Sequence, residues 1–319
     1  MYQCTNVPMT NVPITNVPMT KSMTNGTLID SRPVTMPDST LNMARRSMTE
    51  EDFTRYAAVQ MHELTYWSEG LRIKAYLGLP SAEAQPMPAL VFNAGGTGER
   101  GALSDMTAAA TVGLYASWGY AVIASQYRGR GGSEGTEEWG AGDVDDAMNA
   151  LALLRSFAYV DTNRIGIIGG SRGGMMALQM LTRTDIFKAA VTFGAPTEFT
   201  DLAEDSYILA TAKRFIPHVA DIRTELSKRS VTLYADKLSK TTPLLVLHGS
   251  GDRRVEPEHA YKLGLALQKH LHPYKLIMYD NADHVLAGRR DESNADMRYW
   301  VDLYVKNRAP LPRVGAHGA

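Results

Sequence analysis

The sequence predicts an α/β fold built on a mostly parallel, doubly wound sheet. Three observations carry that expectation. Short apolar runs, among them "ALVFN", "YAVIAS", "RIGII" and "LLVLH", alternate with stretches of helical length. The runs are apolar throughout, as strands covered on both faces are. Glycines and polar residues gather at their carboxyl ends, where open α/β sheets collect their chemistry.

The elements follow in order. Residues 61–80, "MHELTYWSEGLRIKAYLGLP", alternate and are rich in β-formers, with "SEG" as a turn, so an N-terminal β-hairpin is expected. After the proline-rich "SAEAQPMP", residues 89–96 read as a buried strand ending in glycines. A helix over 103–118 leads to a strand at 120–127 and the loop "RGRGGSEG". A helix over 143–157, a strand at 164–170 and a helix over 172–182 come next. The strand at 187–196 precedes a helical, irregular insertion at 197–242. The strand "PLLVLHGSGD", a helix over 256–269, the strand and loop "YKLIMYDNADH" and a helix over 291–305 complete the pattern.

Residues 5–19 repeat a five-residue unit, "TNVPM", whose prolines and asparagines oppose helix and central strand alike. The expected organisation is a disordered tail over 1–50, one catalytic domain over 51–309 and a flexible C-terminal tail over 310–319. Lys plus Arg number 33 against 34 Asp plus Glu, a net charge of −1. That balance points away from nucleic acid and anionic membranes as partners. The single cysteine, Cys4, excludes an internal disulfide and a cysteine-based metal site. No run reaches the roughly 20 apolar residues of a bilayer span, and no secretory signal opens the chain. A cytoplasmic location is the expectation.

The stretch that decides function is "RIGIIGGSRGGMMAL". An apolar strand pinches through glycines around one serine and leaves through two more glycines into a helix. This is the G-x-S-x-G elbow in its strand-turn-helix context, which thrusts the serine hydroxyl of Ser171 into the cleft. A serine needs a base, and the base an orienting acid. In this context they follow in the order Ser, acid, His. Asp252 ends the strand "LLVLHG" and His284 ends "KLIMYDNAD", both at carboxyl ends. Asp280 and Glu256 are weaker candidates for the acid. His248 lies within a strand and reads as structural. One oxyanion donor is expected at the backbone N–H of Arg172, the residue after the serine. The second is expected from "NAGG", either the side-chain amide of Asn93 or a backbone N–H such as that of Ala94. Substrate contacts are expected from Tyr127 and from the Arg172 side chain, which can meet a carboxylate or close a salt bridge. No metal and no organic cofactor are needed for this chemistry.

With "YWSEGLRIKAYLGLP", "YRGRGGSEG", "YVDTNRIGIIGGSRGGMMAL", "LYADKLSKTTPLLVLHGSGDRRVEPEHA" and "DNADH" in view, the chain resembles the catalytic domain of the prolyl oligopeptidase family of serine peptidases, with the α/β-hydrolase fold. The resemblance covers about 61–305. It implies a triad of Ser171, Asp252 and His284, and cleavage of a small ester or a short peptide through an acyl-enzyme. The loop "RGRGGSEG" is also similar to that of the X-Pro dipeptidyl peptidase and cocaine esterase group. Two departures stand out. The N-terminal stretch is too short for the β-propeller many members carry, and Asn93 stands where many place an oxyanion tyrosine. Both favour a carboxylesterase or acyl-peptide hydrolase as the alternative. A non-catalytic binding protein on the same fold should have lost a triad member, and none is missing.

Overall fold

A computed structural model describes residues 23–81, 86–216 and 221–311. Among the described residues there are nine strands, β1 (Leu28–Val34), β2 (Gln60–Ser68), β3 (Leu71–Leu79), β4 (Met87–Asn93), β5 (Ala121–Ser125), β6 (Val160–Gly170), β7 (Phe187–Phe193), β8 (Leu244–Gly249) and β9 (Tyr274–Tyr279). They form one sheet in the order β1-β2-β3-β5-β4-β6-β7-β8-β9. Pairing is antiparallel from β1 through β3 to β5 and parallel from β5 onward. The order reverses between β4 and β5, with β4 central beside β6, so the carboxyl ends of β4, β6, β7 and β8 open onto one crevice.

The expected hairpin is β2–β3. Ser68 pairs with Leu71 across a two-residue turn in which Glu69 and Gly70 both take positive φ, 48° and 84°. Two such residues match the right-handed twist of the strands they join.

The helices are α1 (Asp38–Ser47), α2 (Glu50–Ala57), α3 (Asp105–Ala108), α4 (Leu114–Ser117), α5 (Gly142–Ser156), α6 (Arg172–Leu181), α7 (Tyr207–Phe215), α8 (Ile222–Ser227), α9 (Glu258–Lys269) and α10 (Arg290–Val301). One face of the sheet is covered by α5, α6 and α9, around Val91, Ile167, Leu178 and Leu263. The other packs against α2, the α3–α4 segment and α10, around Leu90, Ile168, Val112 and Val301. This two-sided cover is why every residue of β4 and β8 is buried. The helix expected over 103–118 is interrupted by a π turn at Ala109–Gly113, where the buried Tyr56 hydroxyl donates to the Ala109 carbonyl at 3.0 Å. The insertion before β8 carries α7 and α8.

One boundary differs from expectation. Residues 28–50 are not a loose tail: β1 pairs along β2, and Leu28, Val34 and Met36 are buried. Pro33 argues against a central strand, but β1 is the edge of the sheet, where a missing N–H costs no ladder bond. The pentapeptide repeats and the last eight residues lie outside the described residues.

Candidate active site

The serine elbow is built by crowding. A Cβ on Gly173 would stand 1.9 Å from the Asn93 carbonyl oxygen, and one on Gly169 would stand 2.3 Å from that of Gly173. Only glycines let β6 turn into α6 this tightly against the end of β4. Ser171, at the turn, has φ 52° and ψ −128°. That is a costly conformation for a residue with a side chain, and it is held by the packing around it. The Ser171 N–H donates to the Phe193 carbonyl at 2.8 Å, which ties the elbow to β7.

Three strand ends then converge. The His284 Nε2 lies 2.9 Å from Ser171 Oγ, and its Nδ1 lies 2.7 Å from Asp252 Oδ2. His284 sits on the loop after β9, over Gly194, whose missing side chain leaves room for the imidazole: a Cβ there would lie 3.3 Å from the ring. The Asp252 side chain is fully buried. Its Oδ1 accepts from the backbone N–H groups of Arg254 and Val255 at 2.9 and 3.0 Å. His248 places Nε2 3.3 Å from Asp252 Oδ2 and 2.9 Å from the Val255 carbonyl, which fixes the proton on Nε2. Burial alone would raise the Asp252 carboxyl. The hydrogen bonds from His248, His284 and the two backbone amides outweigh it and hold the group well below the usual carboxylate range. The arrangement is therefore an anionic acceptor, an imidazole oriented by it, and a hydroxyl within reach of the second ring nitrogen.

The other expected residues fare differently. Arg172 opens α6, so its N–H has no intrahelical carbonyl to meet and is free for an oxyanion. Its side chain, however, is only 3% exposed. It pairs with Glu137 at 2.9 Å and Asp143 at 3.0 Å, so it does not greet a substrate carboxylate. Asn93 is fully buried, with its amide donating to Met180 Sδ at 3.3 Å and its oxygen accepting from the Tyr127 hydroxyl at 3.2 Å. That side chain faces α6, not the cleft, so a second donor must come from the backbone of the turn after β4. Ala94 begins that turn. Gly95 lies against the nucleophile, since a Cβ on it would stand 3.0 Å from Ser171 Cβ. Tyr127 is also fully buried, and burial pushes its phenol up to about 12. It is a wall behind the site rather than a substrate contact.

The cleft at Ser171 is open to solvent, has an accessible volume of about 70 Å³, and is lined by Trp139, Pro196, Tyr207, Ile208, Arg254 and Val255, among others. Trp139 packs edge-on against Phe199 at 5.4 Å. Sequence reasoning missed these residues because they come from loops and from α7, whose place beside the serine no local pattern reveals. His248 had one: "HGSGD" spaces it four residues before Asp252.

The model of the prolyl oligopeptidase family matches residues 107–308, and that of acetyl xylan esterase matches residues 37–144. The uncharacterized peptidase YtmA of Bacillus subtilis is 30% identical over 78% of this chain and 95% of its own length. Dipeptidyl aminopeptidase BIII of Pseudoxanthomonas mexicana is 28% identical over 69% of this chain, which spans only 34% of that protein. Among solved structures, a puromycin-hydrolyzing peptidase of Mycobacterium tuberculosis superposes with a TM-score of 0.67 at 25% identity, over 79% of this chain and 40% of that one. An acylaminoacyl peptidase bound to a chloromethyl ketone gives the same TM-score at 21% identity, over 83% and 43%, a likeness of fold.

Proposed function

The chain belongs to the prolyl oligopeptidase family and is a serine hydrolase of that type, and from that premise we propose that Ser171, His284 and Asp252 are its catalytic triad, cleaving short peptide or acyl-amide bonds. The observation that carries the assignment is the unbroken chain from Ser171 Oγ through His284 to Asp252, at 2.9 and 2.7 Å. Ser171 attacks the carbonyl carbon as His284 Nε2 takes its proton. Asp252 holds the imidazole in the tautomer that leaves Nε2 free to accept. The oxyanion forms against the N–H of Arg172 and an N–H of the 94–96 turn. His284 then returns the proton to the leaving group, and water repeats the sequence on the acyl-enzyme. The apolar wall of Trp139, Ile208 and Val255 supports an apolar side chain beside the scissile carbonyl.

A second reading, a carboxylesterase of small substrates, is favoured by the acetyl xylan esterase match over residues 37–144. A fluorophosphonate should label wild-type protein at Ser171 and leave Ser171→Ala unlabelled. A screen of p-nitrophenyl esters beside aminoacyl p-nitroanilides separates the two readings. Turnover of anilides supports the peptidase, and turnover of esters alone supports the esterase. Ser171→Ala with more than a few per cent of wild-type activity would remove the assignment.

A further inference from the structure

The turn from Ala94 to Gly96 is gripped from behind by three buried side chains. The Tyr127 hydroxyl shares its one proton between Asn93 Oδ1 at 3.2 Å and the Ala94 carbonyl at 3.4 Å. Arg130 Nη1 donates to the carbonyls of Gly95 and Gly96, at 3.3 and 3.1 Å. Arg172 Nη1 donates to the Gly96 carbonyl at 3.1 Å. The two guanidinium groups lie over the Tyr127 ring, at 4.6 Å for Arg130 and 5.4 Å for Arg172.

Arg130 is the informative member. It is 1% exposed, and each hydrogen bond it makes goes to a backbone carbonyl: Gly95, Gly96 and, through Nε at 2.6 Å, Gln126. Its Nη2 has no hydrogen-bond partner among the described residues. A buried cation is costly unless paired, and a core filler would be apolar. Arginine here serves to pull carbonyls inward. Arg172, by contrast, is anchored by Glu137 and Asp143, and Asp143 also accepts from the N–H of Gly140 at 2.6 Å. That bond ties the loop carrying Trp139 to the same assembly.

The peptide plane turns this grip into an orientation. In a trans peptide the C=O and the following N–H point opposite ways. Carbonyls of Ala94 and Gly95 drawn toward Tyr127 and Arg130 therefore face the N–H groups of Gly95 and Gly96 the other way, and Gly95 lies against Ser171. We propose that Arg130 and Arg172, with Tyr127 between them, are positioning residues that hold the 94–96 turn so that its N–H groups complete the oxyanion hole. Arg172 then serves both halves of the hole: its own N–H on one side and, through its bond to the Gly96 carbonyl at 3.1 Å, the anchoring of the far end of the opposite turn on the other. The inference rests on the reading of Ser171 as the nucleophile.

The test is a comparison of Arg130→Met, Arg130→Lys and Tyr127→Phe with wild type. The readouts are kcat and KM on the best substrate of the screen and the inhibition constant of an arylboronic acid, whose tetrahedral adduct on serine places an oxygen in the hole. A misaimed donor acts on the transition state more than on bound substrate. Arg130→Met should lower kcat by about tenfold to a hundredfold, leave KM within about twofold, and weaken the boronate by the same factor as kcat. Arg130→Lys should recover part of both losses. If Arg130→Met does not fold, Tyr127→Phe decides, since it removes one oxygen and should lower kcat and boronate affinity together by a few-fold. A folded variant with wild-type kcat and boronate affinity overturns the proposal. So does a loss confined to KM, or a fall in kcat with boronate binding unchanged. Ser171→Ala run alongside keeps two failures apart. An active Ser171→Ala overturns the nucleophile assignment itself. An inactive one beside unaffected Arg130 and Tyr127 variants overturns the positioning role alone.

Discussion

Asp252→Asn should disable the protein through a single proton in the wrong place. In the wild type, Oδ1 accepts from two fixed backbone donors, the N–H groups of Arg254 and Val255 at 2.9 and 3.0 Å. An asparagine must therefore set its oxygen there and its NH₂ where Oδ2 was, 2.7 Å from His284 Nδ1. Nδ1 becomes an acceptor, so the ring proton moves to Nε2, the atom 2.9 Å from Ser171 Oγ. A protonated Nε2 cannot take the serine's proton. The same substitution in a serine protease triad costs about 10⁴ in kcat, or about 5.4 kcal/mol of transition-state free energy at 1.36 kcal/mol per decade. The NH₂ also meets His248 Nε2–H donor to donor, at a position where the two groups stand 3.3 Å apart. Relief through the other His248 tautomer would break its bond to the Val255 carbonyl, so stability should fall by about 1–3 kcal/mol. Steady-state kinetics with an activated ester, beside a thermal melt, measure both. A folded Asp252→Asn within tenfold of wild-type kcat would refute the tautomer argument. The wild-type carboxyl also carries a pH signature. Because the native fold holds it below its ordinary value, its stabilising contribution is complete above the unfolded value near 3.9 and fades only as pH falls through the lower native one.

Gly95→Ala should fold yet lose most activity, because its Cβ would lie 2.9 Å from the Gly170 carbonyl oxygen and 3.0 Å from Ser171 Cβ; normal kcat in this variant would contradict the close approach. His259 is held neutral, pushed down to about 4 first by burial and then by His248 and Lys262, while its Nδ1 accepts from the N–H groups of Thr197 and Glu198 at 3.2 and 3.3 Å. The unfolded chain takes up a proton near 6.5 that the fold refuses until about 4, so stability should decline as pH falls across that window, by about 3 kcal/mol in total. Denaturant titrations from pH 7 to 4 should show a shallower decline for His259→Asn, and equal slopes would count against it. Removing residues 1–40 deletes β1 with buried Leu28, Val34 and Met36, each worth about 1.5–3 kcal/mol of burial, and should lower Tm by many degrees. A cut after residue 22 spares those contacts, and equal melting of the two truncations would show that β1 adds nothing.

The inner parallel strands β4, β6 and β8 were legible because their apolar runs are buried on both faces. The elbow was legible because four glycines in six positions have no other use beside a lone serine. The order of Ser171, Asp252 and His284 along the chain was readable for the same reason that the fold was: each follows a strand. Asn93 misled because its position at a strand end suggested exposure. The pleat says otherwise. Val91 faces the side packed by α6, and two residues on Asn93 faces the same side, against Met180. The N-terminal strand was hidden by its neighbours, since proline-rich repeats ahead of it and Pro33 within it both read as breakers. The Arg130–Tyr127–Arg172 assembly had no local signature at all. It joins the turn after β4, the loop after β5 and the start of α6, and only the topology brings those together.

The two partners in the proposed proton transfer are unequally secured. Ser171 leaves β6, which is flanked on both sides by β4 and β7. His284 follows β9, which among the described residues pairs with β8 alone, has Lys275 exposed and fully buries only Tyr279. Opening of an outer strand takes less free energy than global unfolding. On the proposed triad the base should therefore detach while the nucleophile stays in place, and inactivation by heat or denaturant should run ahead of loss of structure, which activity and near-UV circular dichroism followed through one melt would check. Reagents that need only a strained serine and an oxyanion hole would still find a target in a protein that no longer turns over. The most effective place to strengthen the enzyme against heat is then not its core but the seam between β8 and β9.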